Sequence, residues 1–293
     1  MFKAITLITL SSFAIGFGSV PACHEQQNKN DKTVVENQNN NAGELKTLAQ
    51  GSQSSITDSF VAVIRDDPTY AKLRKMEPSL PKLETDFLRL NVVVAAFLGT
   101  RNTGGYSVEI SRVENGKIRV VEKAPAKDAM TTQVITSPYK LVSFASEGST
   151  AVELSVGEMF QQRAQLYQIS NGSFNLSGGF TGRSESFQLN GKLQITRLGD
   201  LVTIGFALVS SGSSRERSLR SSATGLIKDG TITIERMTHG SLIDPPSGEL
   251  QVSGRFLEKN RLSLGLNSQL ISVPESYSGG GSIEAELVAT SAS

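Results

Sequence analysis

From about residue 150 onward, apolar residues alternate with polar ones in short runs. Phe187/Leu189, Leu193/Ile195, Ile204/Phe206/Leu208, Ile232/Ile234, Leu250/Val252, Leu262/Leu264/Leu266 and Ile283/Ala285/Leu287 all follow a period of two. That period puts one dry face and one wet face on each strand. Turn signals separate the runs at Asn171-Gly172, Asn190-Gly191, Gly199-Asp200, Asp229-Gly230 and Lys259-Asn260. The pattern predicts a meander of about nine or ten short antiparallel strands. So many strands would leave exposed edges unless the sheet closes or folds over, so the expectation is an up-and-down barrel or a two-sheet sandwich.

Between residues 56 and 148 the pattern is different. Phe60–Ile64 (FVAVI) reads as a short strand. Asp66 and Asp67 before Pro68 supply an N-cap and a proline for the first helical turn, predicting a helix to about Met76, which Pro78 and Pro81 terminate. Asn91–Leu98 (NVVVAAFL) is apolar at both alternating positions, as in a strand covered on both faces. Tyr106, Val108 and Ile110 alternate with polar neighbours, and Asn115-Gly116 predicts a tight hairpin into Ile118–Val120. A further strand pair is expected over Thr131–Thr136 and Tyr139–Ala145. The fold class is thus mainly β: a small sandwich-like N-terminal domain with one short helix (56–148), then a barrel or sandwich (150–293). Ser146-Glu147-Gly148-Ser149-Thr150 is small and polar and reads as the junction.

The first 22 residues read as a signal peptide: Lys3 supplies the positive start, and Ala4–Val20 is uncharged and too short to span a bilayer comfortably. The chain's only cysteine, Cys23, follows Val20-Pro21-Ala22. This resembles a bacterial lipoprotein signal, with Pro21 in place of the usual small residue. The resemblance implies lipidation at Cys23 and a cell-envelope location, and His24 in place of Asp implies the outer membrane by the enteric sorting rule. The segment after Cys23, to about Ser55, is rich in Asn, Gln and Ser and poor in aliphatics, so a flexible tether is expected. About 32 flexible residues span on the order of 30 Å.

Composition then removes function classes. Lys and Arg number 29 against 28 Asp and Glu, with one Cys, two His and no Trp. A near-neutral chain lacks the basic excess that phosphate backbones demand, so nucleic acid is not an expected partner. One Cys and two His exclude zinc fingers and thiolate clusters, and neither a metal nor a cofactor is expected. No Gly-x-Ser-x-Gly, His-Glu-x-x-His or phosphate-loop motif occurs. His239 stands beside Ser241 in an expected turn with no identifiable acid partner, Glu235 and Asp244 form only a nominal carboxylate pair, and Gly279-Gly280-Gly281 reads as a loop. No catalytic residue is assigned.

One stretch carries a resemblance. Phe97–Ile110 (FLGTRNTGGYSVEI), with Thr131–Val142 (TTQVITSPYKLV) and the upstream Thr85–Val94, resembles the PrcB-type domain, over about a third of the chain. Its core is Gly99, Thr103, Gly104, Gly105 and Tyr106. The resemblance implies a secreted or lipid-anchored accessory domain without catalytic residues, whose type member binds and stabilises a protease. It makes Thr103, Gly104, Gly105, Tyr106, Pro138 and Tyr139 the candidate protein-binding residues. Physically, paired glycines permit a bulge or close approach, and Tyr106 combines an apolar ring with a polar tip suited to an interface or to a core. The expected partners are a membrane, through the lipid, and a protein, with a protease as the family example. The alternative is a carrier holding an apolar ligand inside the C-terminal β-domain.

Overall fold

The structure is a computed structural model that describes residues 44–113, 117–146, 151–178, 183–211, 217–238, 249–258, 260–272 and 275–290. Strands β1 (Lys46–Gly51), β2 (Phe60–Ile64), β3 (Asn91–Phe97) and β6 (Tyr139–Ala145) form an antiparallel sheet in the order β1-β6-β3-β2. The alternation in Asn91–Leu98 is explained by what covers each face. Phe60, Ala62, Ile64, Val93, Ala95 and Phe97 face helix α1 (Asp67–Met76) and its Leu73, while Val61, Val63, Val92, Val94 and Ala96 face a second sheet. That second sheet comprises β4 (Ser107–Arg112), β5 (Ile118–Lys123) and β7 (Leu154–Val156), and it contributes Val108, Ile110, Ile118 and Val120. The expected sandwich with one flanking helix is present. A second helix, α2 (Phe87–Leu90), is a single turn.

Helix α1 starts where the sequence places it. The Asp66 side chain accepts the Thr69 amide hydrogen bond at 2.8 Å, Pro68 sits in the first turn, and Arg74 and Lys75 occupy the last. Burial pushes the Asp66 carboxyl above the usual range. At the other end Glu77 is buried and accepts hydrogen bonds from the Ser54 hydroxyl (2.6 Å), the Ser55 amide and the Ser79 hydroxyl. Burial acts to raise its carboxyl, but these donors outweigh it and hold the group below its ordinary range.

Three sequence expectations change here. Strand β1 lies inside the segment read as tether, pairing with β6 through a bulge between Thr47 and Ala49, so ordered chain begins before Ser55. Weak hydrophobicity hid β1, because only Leu48 and Ala49 of it pack on the core and the rest of its binding comes from pairing with the β6 backbone. Thr131–Thr136 is not a strand: it makes one isolated bridge, Arg101 with Thr136. Finally, β7 pairs in parallel with β5, and Val152 and Phe160 complete the sandwich core, so the chain after residue 150 still belongs to the first domain. The barrel starts at Gln165, after α3 (Glu158–Gln161).

The remaining strands are β8 (Gln165–Gly178), β9 (Arg183–Leu198), β10 (Leu201–Ser211), β11 (Arg217–Lys228), β12 (Thr231–Thr238), β13 (Glu249–Leu257), β14 (Arg261–Ser272) and β15 (Glu275–Thr290). They close an up-and-down antiparallel barrel of eight strands, each beside its sequence neighbour, with β15 returning to β8. The strands are fewer and longer than the turn signals suggested. Asn171-Gly172 and Asn190-Gly191 lie within β8 and β9, where the register slips between Gln168 and Ser173; they bend strands instead of ending them. The three glycines Gly279–Gly281 are strand, not loop. Gly281 pairs with Phe174, and a Cβ on Gly279 would come 2.7 Å from the Phe174 ring, which fills the space. The interior is filled by Phe174, Phe187, Leu193, Ile204, Phe206, Leu264 and their neighbours, all buried. The outer wall carries Lys192, Arg197, Glu235, Arg255 and Glu286, exposed. Apolar inside and charged outside is the reverse of a lipid-facing barrel.

The two domains share a joint. The outer edge of β2 meets the barrel, where the Val63 amide donates to Thr224 Oγ1 (2.8 Å) and Thr203 Oγ1 donates to the Val61 carbonyl (2.8 Å). The two hydroxyls are 2.8 Å apart, and because the Thr203 proton is spent on Val61, Thr224 donates between them. Both threonines are buried. Beside them, the Ser222 amide donates to the Val152 carbonyl at 2.6 Å, and Leu198 and Leu201 of the barrel pack with the helix-side core.

Two outcomes are expected. Thr224→Val keeps the shape but leaves the buried Val63 amide without an acceptor, so it should lower stability by about 1–3 kcal/mol in urea melts. For Glu77, the folded carboxyl titrates below the unfolded value of about 4.3. The stability it supplies is therefore complete above that pH and is lost as pH falls through the folded value. The stability difference between wild type and Glu77→Gln should be largest near pH 7 and shrink below about pH 4. A difference independent of pH would show that the carboxylate charge is not what holds the helix end.

Candidate partner-binding surface

The Gly99–Tyr106 loop connects β3 to β4, and backbone conformation dictates its glycines. Gly99 has φ +72° and a Cβ there would come 2.6 Å from the Thr57 carbonyl oxygen; Gly105 has φ +86° and would meet Pro125 at 2.9 Å. Gly104 is buried, and a side chain on it would strike the Thr132 hydroxyl.

The loop is braced against the residues read as a strand. The Arg101 amide donates to the Thr136 carbonyl (2.7 Å) and the Thr136 amide returns to Arg101 (2.9 Å). The Gly104 amide donates to Thr132 (2.9 Å), and the Thr136 hydroxyl to the Thr103 carbonyl (3.1 Å). Arg101 ties the pair to the second sheet. Its guanidinium donates to Glu122 at 2.7 Å, with both side chains mostly buried, and lies 5.8 Å from the centre of the Tyr106 ring. Tyr106 is half-buried, packing at the rim of the sandwich core while keeping part of its ring in water.

The candidate residues do not all gather in one place. Thr103, Gly104, Gly105 and Tyr106 form the loop. Pro138 is buried, its carbonyl accepting from the Leu98 amide (2.9 Å). Tyr139 sits on the helix-side face of the sheet, stacked on Phe97 with ring centres 5.8 Å apart, and its hydroxyl lies 3.4 Å from Ser79 Oγ. Both are positioning residues for β6 and not surface. Cys23, His239, Ser241 and Asp244 lie outside the described residues.

Sequence reasoning missed the apolar rim. Met130 is fully exposed, Ile135 is 64 % exposed and Val134 52 %, all on the segment bonded to the loop. Three large apolar side chains are thus held in water on one segment beside the glycine loop. The signal was present as Met130 in an otherwise polar stretch and as Val134-Ile135. It was masked because the same residues fit a strand. Among the described residues, no group of three or more His, Cys, Asp or Glu could hold a metal.

Comparison with known proteins agrees with this region. Residues 92–145 match the family model described as PrcB C-terminal, from β3 through the braced loops to the end of β6. No curated protein and no solved structure matches the chain. The matched segment is the central part of the sandwich, and the barrel lies outside it.

Gly105→Ala forces a side chain into the left-handed region against Pro125, and should cost about 1–2 kcal/mol in chemical melts. Tyr106→Ala should cost about 1–2 kcal/mol as well, less than the 3–5 kcal/mol of a fully buried aromatic. A loss in the larger range would place Tyr106 in the core and remove it from the surface.

Proposed function

We propose that the chain is a non-catalytic cell-envelope module, lipid-anchored at Cys23 on the outer membrane, that binds and stabilises a partner protein through the braced loops, and that the partner is a protease. The observation that carries this reading is the exposed Met130, Val134 and Ile135 on loops braced by the Arg101–Thr136 and Gly104–Thr132 hydrogen bonds. A surface ordered before binding loses little entropy on docking, so apolar anchors there act efficiently. The match of residues 92–145 to the PrcB C-terminal family supports the protease as partner class. The signal-like start and Cys23 support the anchor. The packed barrel interior does not favour the carrier alternative, since an interior of eight strands is just wide enough for its own side chains.

A photoreactive residue at position 135 should crosslink a protease in intact envelopes. The double variant Met130→Ser/Ile135→Ser should melt like wild type yet weaken capture of that protease by 2 kcal/mol or more. Intact mass of the captured material should show a lipid on Cys23. Undiminished capture by the double variant would move the contact elsewhere, and an unlipidated, membrane-free mature protein would remove the anchor.

A further inference from the structure

A cleft of about 260 Å³ lies between the outer wall of the barrel and the segment running from Glu153 through β7 to Phe160 of α3. It is larger than the roughly 150 Å³ that accommodates benzene. The register of β9, β10 and β11 arranges its barrel wall in rows. Lys192, Ala207 and Arg220 form one row; Gln194, Gly205 and Ser222 the next; Thr196 and Thr203 the third, against Val61 of β2. The facing wall is apolar, made by Leu154, Val156 and Phe160, and Leu166 of β8 extends the Gln194 row on the barrel side. One end is thus cationic, and the body has one apolar wall facing rows of small and polar residues.

The charge at the cationic end is not cancelled. Glu153 is the acid of the cleft and is shared between Lys117 (3.2 Å) and Arg220 (3.6 Å), while Lys192 has no ion-pair partner among the described residues. Lys192 and Arg220 stand two strands apart, about 10 Å between backbones, across the short side chain of Ala207. Two long cationic side chains can converge on one anion from that spacing. The floor is hollow because residue 205 is glycine. A Cβ there would sit 3.6 Å from Ser222 Oγ and 3.7 Å from Gln194, ordinary contact distances, and its φ is not left-handed. Neither backbone conformation nor packing demands a glycine; what its absent side chain supplies is the space.

We propose that this cleft binds a small amphipathic carboxylate, its anionic group between Lys192 and Arg220 and its apolar tail over Gly205 toward Val61 and Phe160. The tail exchanges water for the apolar wall of Leu154, Val156 and Phe160, and the carboxylate meets donors that lack a full complement of acid.

The test titrates the purified full chain with octanoate by calorimetry, with octanol as the uncharged control. Saturable binding of one octanoate per chain is expected, with octanol at least tenfold weaker. Lys192→Gln/Arg220→Gln should lower octanoate affinity tenfold or more and leave octanol unchanged. Gly205→Leu should abolish both by filling the floor, and if that variant fails to melt cooperatively, Ala207→Leu fills the adjacent row instead. Met130→Ser/Ile135→Ser should bind octanoate like wild type, which separates this site from the partner surface. Absence of saturable binding would overturn the proposal, as would affinity undiminished in a folded cleft-filling variant, or affinity lost in the Met130/Ile135 variant.

Discussion

The arrangement of the whole folded region depends on how the open edge of β2 is closed. A strand edge presents unpaired amides and carbonyls, and burying them without partners would cost more than the apolar contacts return. Here two threonine hydroxyls on the barrel wall act as the missing strand: Val63 donates to Thr224, Thr224 to Thr203, and Thr203 to Val61. Each hydroxyl donates once and accepts once, which leaves the directed chain fully satisfied. The contact fixes the sandwich on one side of the barrel and brings Leu198 and Leu201 into the helix-side core. Two domains that look separate in sequence are therefore thermodynamically joined.

That joint also shapes the cleft. With β2 anchored on the barrel, the cleft forms beside it as the gap between wall and sandwich, with Val61 at its base. The glycine loop and the segment 130–135 depend on a different set of bonds. They hang from β3 and β6, and their rigidity comes from the Arg101–Thr136 bridge and the Arg101–Glu122 pair. A mostly buried bidentate-capable arginine holds loops more firmly than an exposed lysine would. The apolar rim can then stay in water without collapsing onto the core, because its backbone is already committed.

The barrel plays a supporting part. Its interior side chains pack one another and its wall is charged, so its chemistry is confined to its outer face. There it offers threonines to seal a neighbouring sheet and cations to line a cleft. An inward glycine or serine in the same strands would serve neither purpose, since the two faces of a strand are separated by its own backbone.

The mainly β class, the helix Asp67–Met76 with its Asp66 cap, the doubly covered β3 and the alternating barrel strands were all legible in the residues alone, because each rests on local periodicity or on a single cap. The glycine loop was legible too, since φ beyond +70° at Gly99 and Gly105 is a local backbone demand that leaves its mark in residue choice. The rest depended on long-range pairing. Strand β1 owes its existence to the β6 backbone, β7 to β5, and the extended β8 and β9 to closure of the barrel, which turned two Asn-Gly pairs from turns into bends. Tertiary packing separated Tyr139 from Tyr106 by placing them on opposite sides of one sheet, and it left Met130, Val134 and Ile135 in water. Pairing between distant segments and exposure of an apolar side chain are properties of where other parts of the chain come to lie, and no local pattern contains them.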